Sequence, residues 1–299
     1  MTALTHHQGS HTEHAVLPNP KVTVVIATYN WSSVLPYSIG SVLRQTRTDF
    51  ELWVVGDACT DDSAQVVSAI KDPRVHWHNL PVNFGQQGGP NNAGIERARG
   101  DYIAYLGHDD LWLPHHLEAL IPALDAGADF AWSLVSYILP DQTRWLMPQH
   151  PRHYQPGRWI PPTGLLHRKD LAQSIGGWRS YRDISIDPEA DLINRMHAAG
   201  GTSRFVPRLT ALKLPAALRK NVYHERPCHE QAAWMQKIED GIDLEREELL
   251  AAALRPRPGL TFLLREGLRS LRWHARKILG YKKAVFDQRR KYKGLPPKD

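Results

Sequence analysis

Runs of branched and aromatic residues alternate with amphipathic stretches along the first part of the chain. One such run, Val22–Ala27, has few polar positions and the length of a buried strand. In the stretch that follows, Leu35, Ile39 and Val42 recur at a spacing that places them on one face of a helix. Strands that alternate with helices in this way are typical of parallel sheets with helical crossovers, so the pattern predicts an α/β fold. The predicted strands of this part are Lys21–Asn30, Glu51–Val55, Val75–Asn79 and Tyr102–Leu106.

Polar residues stand just beyond three of these strands, at Asn30, Asp57 and Asp109. The carboxyl ends of parallel strands lie at one edge of a sheet, where open α/β sheets bind ligands. Asp110 directly follows Asp109, and two adjacent carboxylates repel each other unless a divalent cation binds between them and a phosphate. The alternative is that the two acids cap the next helix, for which Pro114 suits the first turn.

The pattern of the second half is less regular. Phe130–Tyr137 and Gly164–Arg168 have the composition of strands, and the proline-rich stretch 139–163 predicts a loop-rich insertion. Asp187 and Pro188 suit the cap and the first position of a helix. The other predicted helices are Lys169–Ile175, ended by Gly176-Gly177, and two within about 229–254.

Composition places the chain among soluble globular proteins, with 42% hydrophobic and 23% charged residues. The two cysteines, Cys59 and Cys228, provide no disulfide framework or cysteine zinc site, which favours a reducing cytoplasm. Residues 1–20 are polar and rich in His, without the apolar segment of a signal peptide, and we expect a flexible tail there. No run approaches the roughly 18 apolar residues of a membrane span.

The net charge of +6 is concentrated at the carboxyl end. Residues 255–299 hold 14 Lys and Arg against three acids, which leaves a net charge of −5 on the rest of the chain. Leu260, Leu264 and Leu268 recur there at helical spacing, and Arg265 belongs to a neighbouring basic stripe. Such a helix binds an anionic membrane surface or packs on the body with its cations in water. No nucleic-acid recognition motif accompanies it, so we expect no nucleic-acid partner.

Six motifs in this order resemble the family-two inverting glycosyltransferases, which have a GT-A fold and use nucleotide-diphosphate sugars. They are Val25-Ile-Ala-Thr-Tyr-Asn30, Val54-Val-Gly-Asp57, Asn92-Ala-Gly94, Tyr102–Asp110, Gly176-Gly-Trp178 and Glu189-Ala-Asp-Leu-Ile-Asn-Arg195. The resemblance implies a Rossmann-like GT-A domain over 21–240, with a nucleotide-binding half at about 21–112 and an acceptor half at about 113–240. A basic helical extension would follow over 241–299, and the insertion 139–163 would line the acceptor groove.

The resemblance also implies roles for individual residues. Glu189 stands where the family has its catalytic base, and Asp109 would contact the ribose or the metal. Asp110 would bind the Mg2+ or Mn2+ ion that bridges the diphosphate. The donor-binding residues implied by the resemblance are Ala27, Thr28, Tyr29, Asp57 and Asn92.

The sequence departs from the family pattern at several of these motifs. Gly56 replaces the first of two Asp residues, and Gly107 stands at the leading position of the Asp-x-Asp metal motif. Asn91 replaces an Arg, and Pro188-Glu189 replaces the usual Glu-Asp. These changes leave the implied reaction type intact but do not indicate whether the donor is UDP-, GDP- or dTDP-linked.

An inverting transfer requires a cation at the departing diphosphate, a carboxylate that removes the acceptor proton, and in-line positioning. Asp110 with its metal would supply the first and Glu189 the second. A position in the first helical turn lowers the pKa of Glu189, so its basicity must come from partial burial or from Asp187 and Asp191. The alternative is that Glu189 is an ordinary acid favoured by the helix dipole.

For other candidate site residues, an ordinary structural role is the alternative to a role in binding. His224 is a third metal ligand or an ordinary histidine, and Arg219 binds the donor diphosphate or belongs to a solvated turn. Trp178 is expected to stack on an acceptor sugar, with Asp187 and Asp191 nearby, whereas Trp132 is expected in the core.

The leading hypothesis is a metal-dependent transferase that moves a sugar from a nucleotide-sugar donor to a glycan or lipid-linked acceptor. We expect it in the cytoplasm, either peripheral on the inner face of the membrane through the basic helix or free of it with that helix packed on the body. The alternative is a non-catalytic nucleotide-sugar or glycan-binding module, against which the retained Asp57, Asp109, Asp110 and Glu189 argue. A nucleotidyltransferase would carry a Gly-rich basic loop after the first strand, and Thr28-Tyr29-Asn30-Trp31 is not one.

Overall fold

A computed structural model describes residues 19–147, 153–184 and 186–254. They contain one nine-stranded sheet with helices packed on it. The strands are β1 Val22–Thr28, β2 Phe50–Gly56, β3 Val75–Asn79, β4 Tyr102–Gly107, β5 Leu111–Trp112, β6 Phe130–Ile138, β7 Arg144–Met147, β8 Leu165–Arg168 and β9 Ser203–Lys213. The α-helices are α1 Leu35–Leu43, α2 Ser63–Ala69, α3 Gly88–Arg97, α4 His116–Asp125, α5 Lys169–Ser174, α6 Pro188–Ala198, α7 Val222–Glu225, α8 His229–Glu239 and α9 Leu244–Ala253.

The strand order is β3-β2-β1-β4-β8-β6-β9-β5, with β7 paired to β6. The first four strands of this order are parallel, as the alternating pattern predicts, and the other half mixes both directions. The prediction of an α/β fold with helices flanking the sheet is therefore confirmed.

Helices cover both faces of the sheet because its central strands are buried on both sides. Val24 and Ile26 of β1 face a core that includes α1 and α4, whereas Val25 faces one that includes α3 and α6. On the second face α3 approaches β1 closely, since a Cβ atom on Gly94 would lie 2.6 Å from Val25 Cγ1. This approach brings the start of α3 to the carboxyl edge of the parallel strands.

The longest strand, β9, was not predicted. Its first six residues mix polar and apolar types and none is buried, whereas Leu209–Leu212 are buried in succession, so no strand period is visible in its sequence. The pairing of β9 with β6 shifts register between Ser133 and Val135, next to Pro207. Proline has no N–H to donate to the ladder, which fits a bulge at this point.

Two helix boundaries also differ from the prediction. The stretch 83–94 is rich in glycine and side-chain amides of low helix propensity, which predicts a loop that leads into a helix, but helix α3 already begins at Gly88. Helix α4 begins at His116, since the short strand β5 and Pro114 precede it.

The carboxyl-terminal extension begins as a packed helix. Helix α9 lies against β7 and β9, and its Glu248 accepts a hydrogen bond of 2.7 Å from Ser136 of β6. The rest of the basic helical prediction, 255–299, and most of the predicted tail, 1–18, lie outside the described residues. Within the described residues, no helix has the length and apolarity needed to cross a bilayer.

Glu51 joins two neighbouring strands to the loop before β4. It is 1% exposed and accepts bonds of 2.7 Å from the Thr23 hydroxyl and from the backbone N–H and Nε of Arg99. Burial alone would raise the pKa of Glu51, but the bonds from Arg99 and Thr23 outweigh burial and lower it. The carboxylate therefore stabilises the fold above its unfolded pKa, and this stabilisation is lost as the pH falls through the lower folded pKa.

We expect Glu51→Ala to reduce the free energy of unfolding in urea by about 2–4 kcal/mol at neutral pH, since it leaves buried donors without an acceptor. The difference from the wild type should shrink in acid. Glu96→Ala, at an exposed position of α3, is the control and should change stability by less than about 0.5 kcal/mol. Equal stability of Glu51→Ala and the control would contradict this role.

Candidate active site

A cavity of about 320 Å³ lies at the carboxyl edge of β1, β2 and β4. Parallel register aligns this edge, with Thr28 opposite Gly56 and Ala27 opposite Gly107. The cavity is lined by Ala27, Thr28, Tyr29, Asp57, Asn83, Gly85, Gln86, Gln87, Pro90, Gly107, His108, Asp109, Tyr181, Pro188, Glu189 and Lys213. The structure thus brings together six of the predicted site residues, Ala27, Thr28, Tyr29, Asp57, Asp109 and Glu189.

Asp57 organises one wall of the cavity. Its carboxylate accepts hydrogen bonds from the backbone N–H groups of Phe84 at 2.6 Å and Gly85 at 2.8 Å, and from the Asn83 side chain at 3.2 Å. These bonds fix the loop between β3 and α3 beside the end of β2. Asp57 therefore both lines the cavity and shapes it.

His108 links the ends of β1 and β4. Its Nδ1 lies 2.9 Å from the Thr28 hydroxyl, and its ring packs edge-on against Trp31, with 5.2 Å between the ring centroids. Asp109 follows it and is 8% exposed, on the floor of the cavity.

Asp110 is completely buried and already has three hydrogen-bond donors. Its Oδ2 accepts from the Thr163 hydroxyl at 2.5 Å and from Lys213 Nζ at 2.7 Å, and its Oδ1 accepts from the Leu214 N–H at 3.1 Å. Burial alone would lower the pKa of Lys213, but the charge of Asp110 outweighs burial and raises the pKa above its usual range. Burial raises the pKa of Asp110, and the charge of Lys213 opposes this rise. The hydrogen bonds make Asp110 the counterion of Lys213, and its role as a metal ligand stays a prediction.

The predicted three-residue metal site is not formed. His224 is exposed and does not line the cavity, and the described residues contain no cluster of three His, Cys, Asp or Glu side chains suited to an ion. Asp109 remains as one carboxylate at the cavity. A hard ion such as Mg2+ is often bound by one or two carboxylates together with substrate phosphates, so Asp109 fits this reduced role.

Glu189 is held by a donor at each oxygen. Trp159 Nε1 donates to Oε1 at 2.8 Å, and Gln87 Nε2 donates to Oε2 at 3.2 Å. Burial raises the pKa of Glu189, and the negative charge of Asp187 raises it further. Both burial and the charge of Asp187 therefore contribute to the basicity expected of Glu189. Asp191 instead accepts a hydrogen bond from Arg195 at 2.8 Å.

Trp178 and Asn92 are structural rather than part of the cavity wall. Trp178 is 3% exposed, and its Nε1 donates to the Tyr105 hydroxyl at 3.0 Å. The Asn92 amide bonds to both the N–H and the carbonyl oxygen of Trp178 at 2.8 Å each. The expected contacts of Trp178 with the acceptor and of Asn92 with the donor stay predictions, which this burial and pairing do not support. Trp132 is buried in the core, as expected.

Three other predicted contacts lie away from the cavity. Arg219 forms an ion pair with Glu230 and donates to the carbonyl oxygen of Ile138, and the donor contact expected of it stays a prediction. Asp191 forms an ion pair with Arg195, and its expected acceptor contact likewise stays a prediction. Asp187 is exposed at the N-cap position of α6, without a capping bond from its side chain, and does not line the cavity.

Sequence reasoning missed Lys213, Gln87 and the role of Trp159. Lys213 ends the unpredicted strand β9 and belongs to none of the six motifs. A second cavity of about 270 Å³ adjoins the first and shares Lys213 and Asp109 with it. The lining of this second cavity is Tyr29, Trp31, His108, Asp109, Lys213, Pro215, Ala216, Ala217, Tyr223 and Arg226.

Two curated sequences are similar to part of the chain. An uncharacterized glycosyltransferase of Nostoc sp., alr2836, is 38% identical over 196 residues, which cover 54% of this chain and 57% of that protein. The succinoglycan biosynthesis protein ExoO of Rhizobium meliloti is 42% identical over 113 residues, which cover 38% of this chain and 32% of that protein. The chain therefore spans less than two thirds of either relative.

Solved structures share the fold at low sequence identity. TarS 1–349 of S. aureus, in complex with UDP-GlcNAc, has a TM-score of 0.57 and 16% identity, covering 78% of this chain and 70% of that one. The mannosyltransferase PcManGT of Pyrobaculum calidifontis, in complex with GDP-Man and Mn2+, has a TM-score of 0.54 and 14% identity, covering 90% and 87%. These likenesses support the GT-A architecture. The model of the glycosyl transferase family 2 matches residues 23–183, more than half of the chain, and the chain therefore belongs to this family.

Proposed function

We propose that the protein is an inverting glycosyltransferase that moves a sugar from a nucleotide-diphosphate sugar to an acceptor hydroxyl. The observation that carries this proposal is that Asp57, Asp109 and Glu189 line the same cavity at the carboxyl edge of the sheet. Family membership supports it, as do the UDP-GlcNAc and GDP-Man complexes of the structural neighbours.

In this proposal the nucleoside lies against Ala27, Thr28 and Tyr29, beside the loop fixed by Asp57, and the diphosphate extends towards Asp109. Asp109 would hold Mg2+ or Mn2+ together with the phosphates, and the ion would supply positive charge to the departing diphosphate. The neighbour in complex with GDP-Man and Mn2+ supports a divalent ion.

Glu189 acts on the acceptor. It accepts the hydroxyl proton as the hydroxyl oxygen bonds to the anomeric carbon and the bond from that carbon to the phosphate oxygen breaks. Attack from the face opposite the diphosphate inverts the anomeric centre. The two donors on Glu189 restrict how its carboxylate can turn, which keeps an oxygen directed at one acceptor position.

Support for an acceptor class comes from the names of the relatives rather than from the cavity. ExoO is named for succinoglycan biosynthesis, and another relative, WcaA of Escherichia coli, for colanic acid biosynthesis. We therefore propose a growing glycan or a lipid-linked saccharide as the acceptor. A screen of UDP-, GDP- and dTDP-sugars for Mn2+-dependent hydrolysis and thermal stabilisation tests the donor and separates the enzyme from a non-catalytic binding module.

Glu189→Gln should reduce turnover about 10²–10⁴-fold, because the amide keeps the shape of the side chain but cannot accept the proton. Donor affinity in calorimetry should change little. Asp191→Asn is the control, since Asp191 is paired with Arg195 outside the cavity, and it should retain turnover if it folds. Loss of turnover in Asp191→Asn together with an active Glu189→Gln would show that the base is assigned to the wrong residue.

The pH dependence of kcat/KM provides a second test. Glu189 must be ionised to act as the base, so activity should rise with pH through a midpoint above the usual range of glutamate. Trp159→Phe removes a hydrogen bond that favours the carboxylate, and the midpoint should move to higher pH. Asp187→Asn removes a repelling charge, and the midpoint should move to lower pH. Identical profiles for all three proteins would contradict control of the acid limb by Glu189.

We also propose that the basic segment 255–299 attaches the enzyme to an anionic membrane surface, because its sequence combines an apolar helical stripe with 14 Lys and Arg. The full chain should sediment with vesicles that contain anionic lipid, less so as the salt concentration rises. Truncation after Pro256 should abolish sedimentation and leave donor hydrolysis in place. A matched full-length control replaces the basic stripe, Arg265, Arg269, Arg272 and Arg276, by Gln and should also fail to bind. If the wild-type chain does not sediment with such vesicles at low salt, the proposed membrane attachment is wrong.

A further inference from the structure

We propose that Lys213 donates hydrogen bonds to the diphosphate of the donor and acts as a fixed cation beside the single carboxylate Asp109. This inference rests on the proposed function, since it assigns a residue to the diphosphate of that donor. It differs from the family pattern, in which the expected charge comes from a carboxylate-bound metal, and it concerns a residue outside all six motifs.

The side chain of Lys213 is placed between the cavities. It comes from the last position of β9 and lines both the larger cavity and its neighbour, with Asp109 as another shared wall residue. The side chain is 21% exposed, whereas its partner Asp110 is 0% exposed. Its charge is therefore open to a ligand, and the charge of Asp110 is not.

The hydrogen-bond capacity of Lys213 is only partly used. An ammonium group has three N–H donors, and within the described part of the chain Nζ has one hydrogen bond, to Asp110 Oδ2 at 2.7 Å. Asp110 in turn is fixed by the Thr163 hydroxyl and the Leu214 N–H. The ammonium is thus held at one point and retains donors for an anionic ligand.

Charge balance in the larger cavity points to the same residue. Its lining includes three acids, Asp57, Asp109 and Glu189, and Lys213 is the only Lys or Arg among the described residues that line it. A diphosphate that enters this cavity requires positive charge, and one ion on Asp109 would have to offset these acids as well as the phosphates. Lys213 supplies part of that charge without an ion, at a position that Asp110 fixes in advance.

The competing explanation is that the Lys213–Asp110 pair only joins β9 to the turn after β4. A buried ion pair is weak evidence for stability, because the cost of removing both charges from water offsets their attraction. Removing one partner, however, leaves an uncompensated charge and can unfold the protein. A useful test must therefore separate loss of the ammonium from loss of the fold.

The experiment is calorimetric binding of UDP, GDP and dTDP to the full chain, in EDTA and in Mn2+, with the matching nucleosides as phosphate-free probes. The variants are Lys213→Met, Lys213→Arg and the double variant Asp110→Asn/Lys213→Met. The double variant leaves no buried lone carboxylate, because the amide oxygen can accept from the Leu214 N–H and the amide NH2 can donate to the Thr163 hydroxyl oxygen. Lys71→Met is the matched control, since Lys71 is exposed, lines neither cavity and donates to the Ser68 carbonyl oxygen. Thermal melts establish that each variant folds.

We expect the double variant to bind the preferred nucleoside diphosphate at least about tenfold more weakly than the wild type in EDTA, the loss of about one charge-assisted hydrogen bond. Nucleoside affinity should be unchanged, Lys213→Arg should retain more diphosphate affinity than Lys213→Met, and the control should match the wild type. Unchanged diphosphate affinity in the folded double variant would overturn the proposal, and so would an equal loss for nucleoside and diphosphate. If the wild type binds no nucleoside diphosphate under either condition, the proposed function itself fails.

Discussion

The parallel alignment of β1, β2 and β4 is the constraint on which the site depends. Their hydrogen-bonded register places Val55, Ala27 and Gly107 side by side, so the turns that follow these strands leave the sheet at one edge. Apart from Lys213 on β9, the residues proposed to contact the donor lie at the ends of these strands or in the turns that follow them. A change in the register of one strand would move its turn and its inward-facing residues together.

A second constraint is electrostatic. The turn after β4 carries two adjacent carboxylates, and the fold separates their environments. Asp109 remains at the cavity, while Asp110 is buried against Lys213 from β9. Because β9 belongs to the mixed half of the sheet, this ion pair also ties the mixed half to the parallel half. The repulsion between the Asp109 and Asp110 carboxylates, which suggested a metal between them, is relieved mainly by Lys213.

The environment of Glu189 shows how helix position and tertiary burial oppose each other. Its place in the first turn of α6 favours the ionised form, whereas burial and the charge of Asp187 raise its pKa. Burial prevails, as a general base requires. Trp159 and Gln87 then orient the carboxylate, and they reach it from the insertion and from the start of α3.

The sequence by itself determined the α/β class, the parallel half of the sheet and the residues at its carboxyl edge. These features depend on local patterns, such as the buried strand Val22–Thr28 and the polar residue after each strand, which can be read without knowing what packs nearby. Only the tertiary structure decided which acid faces the cavity and which is neutralised, because Lys213 lies 103 positions from Asp110 on a strand with no clear period. For the same reason, the burial of Trp178 against Tyr105 and the pairing of Arg219 with Glu230 were not visible. A motif specifies residue types and their order, but the partner of each side chain is set by segments that meet only when the chain folds.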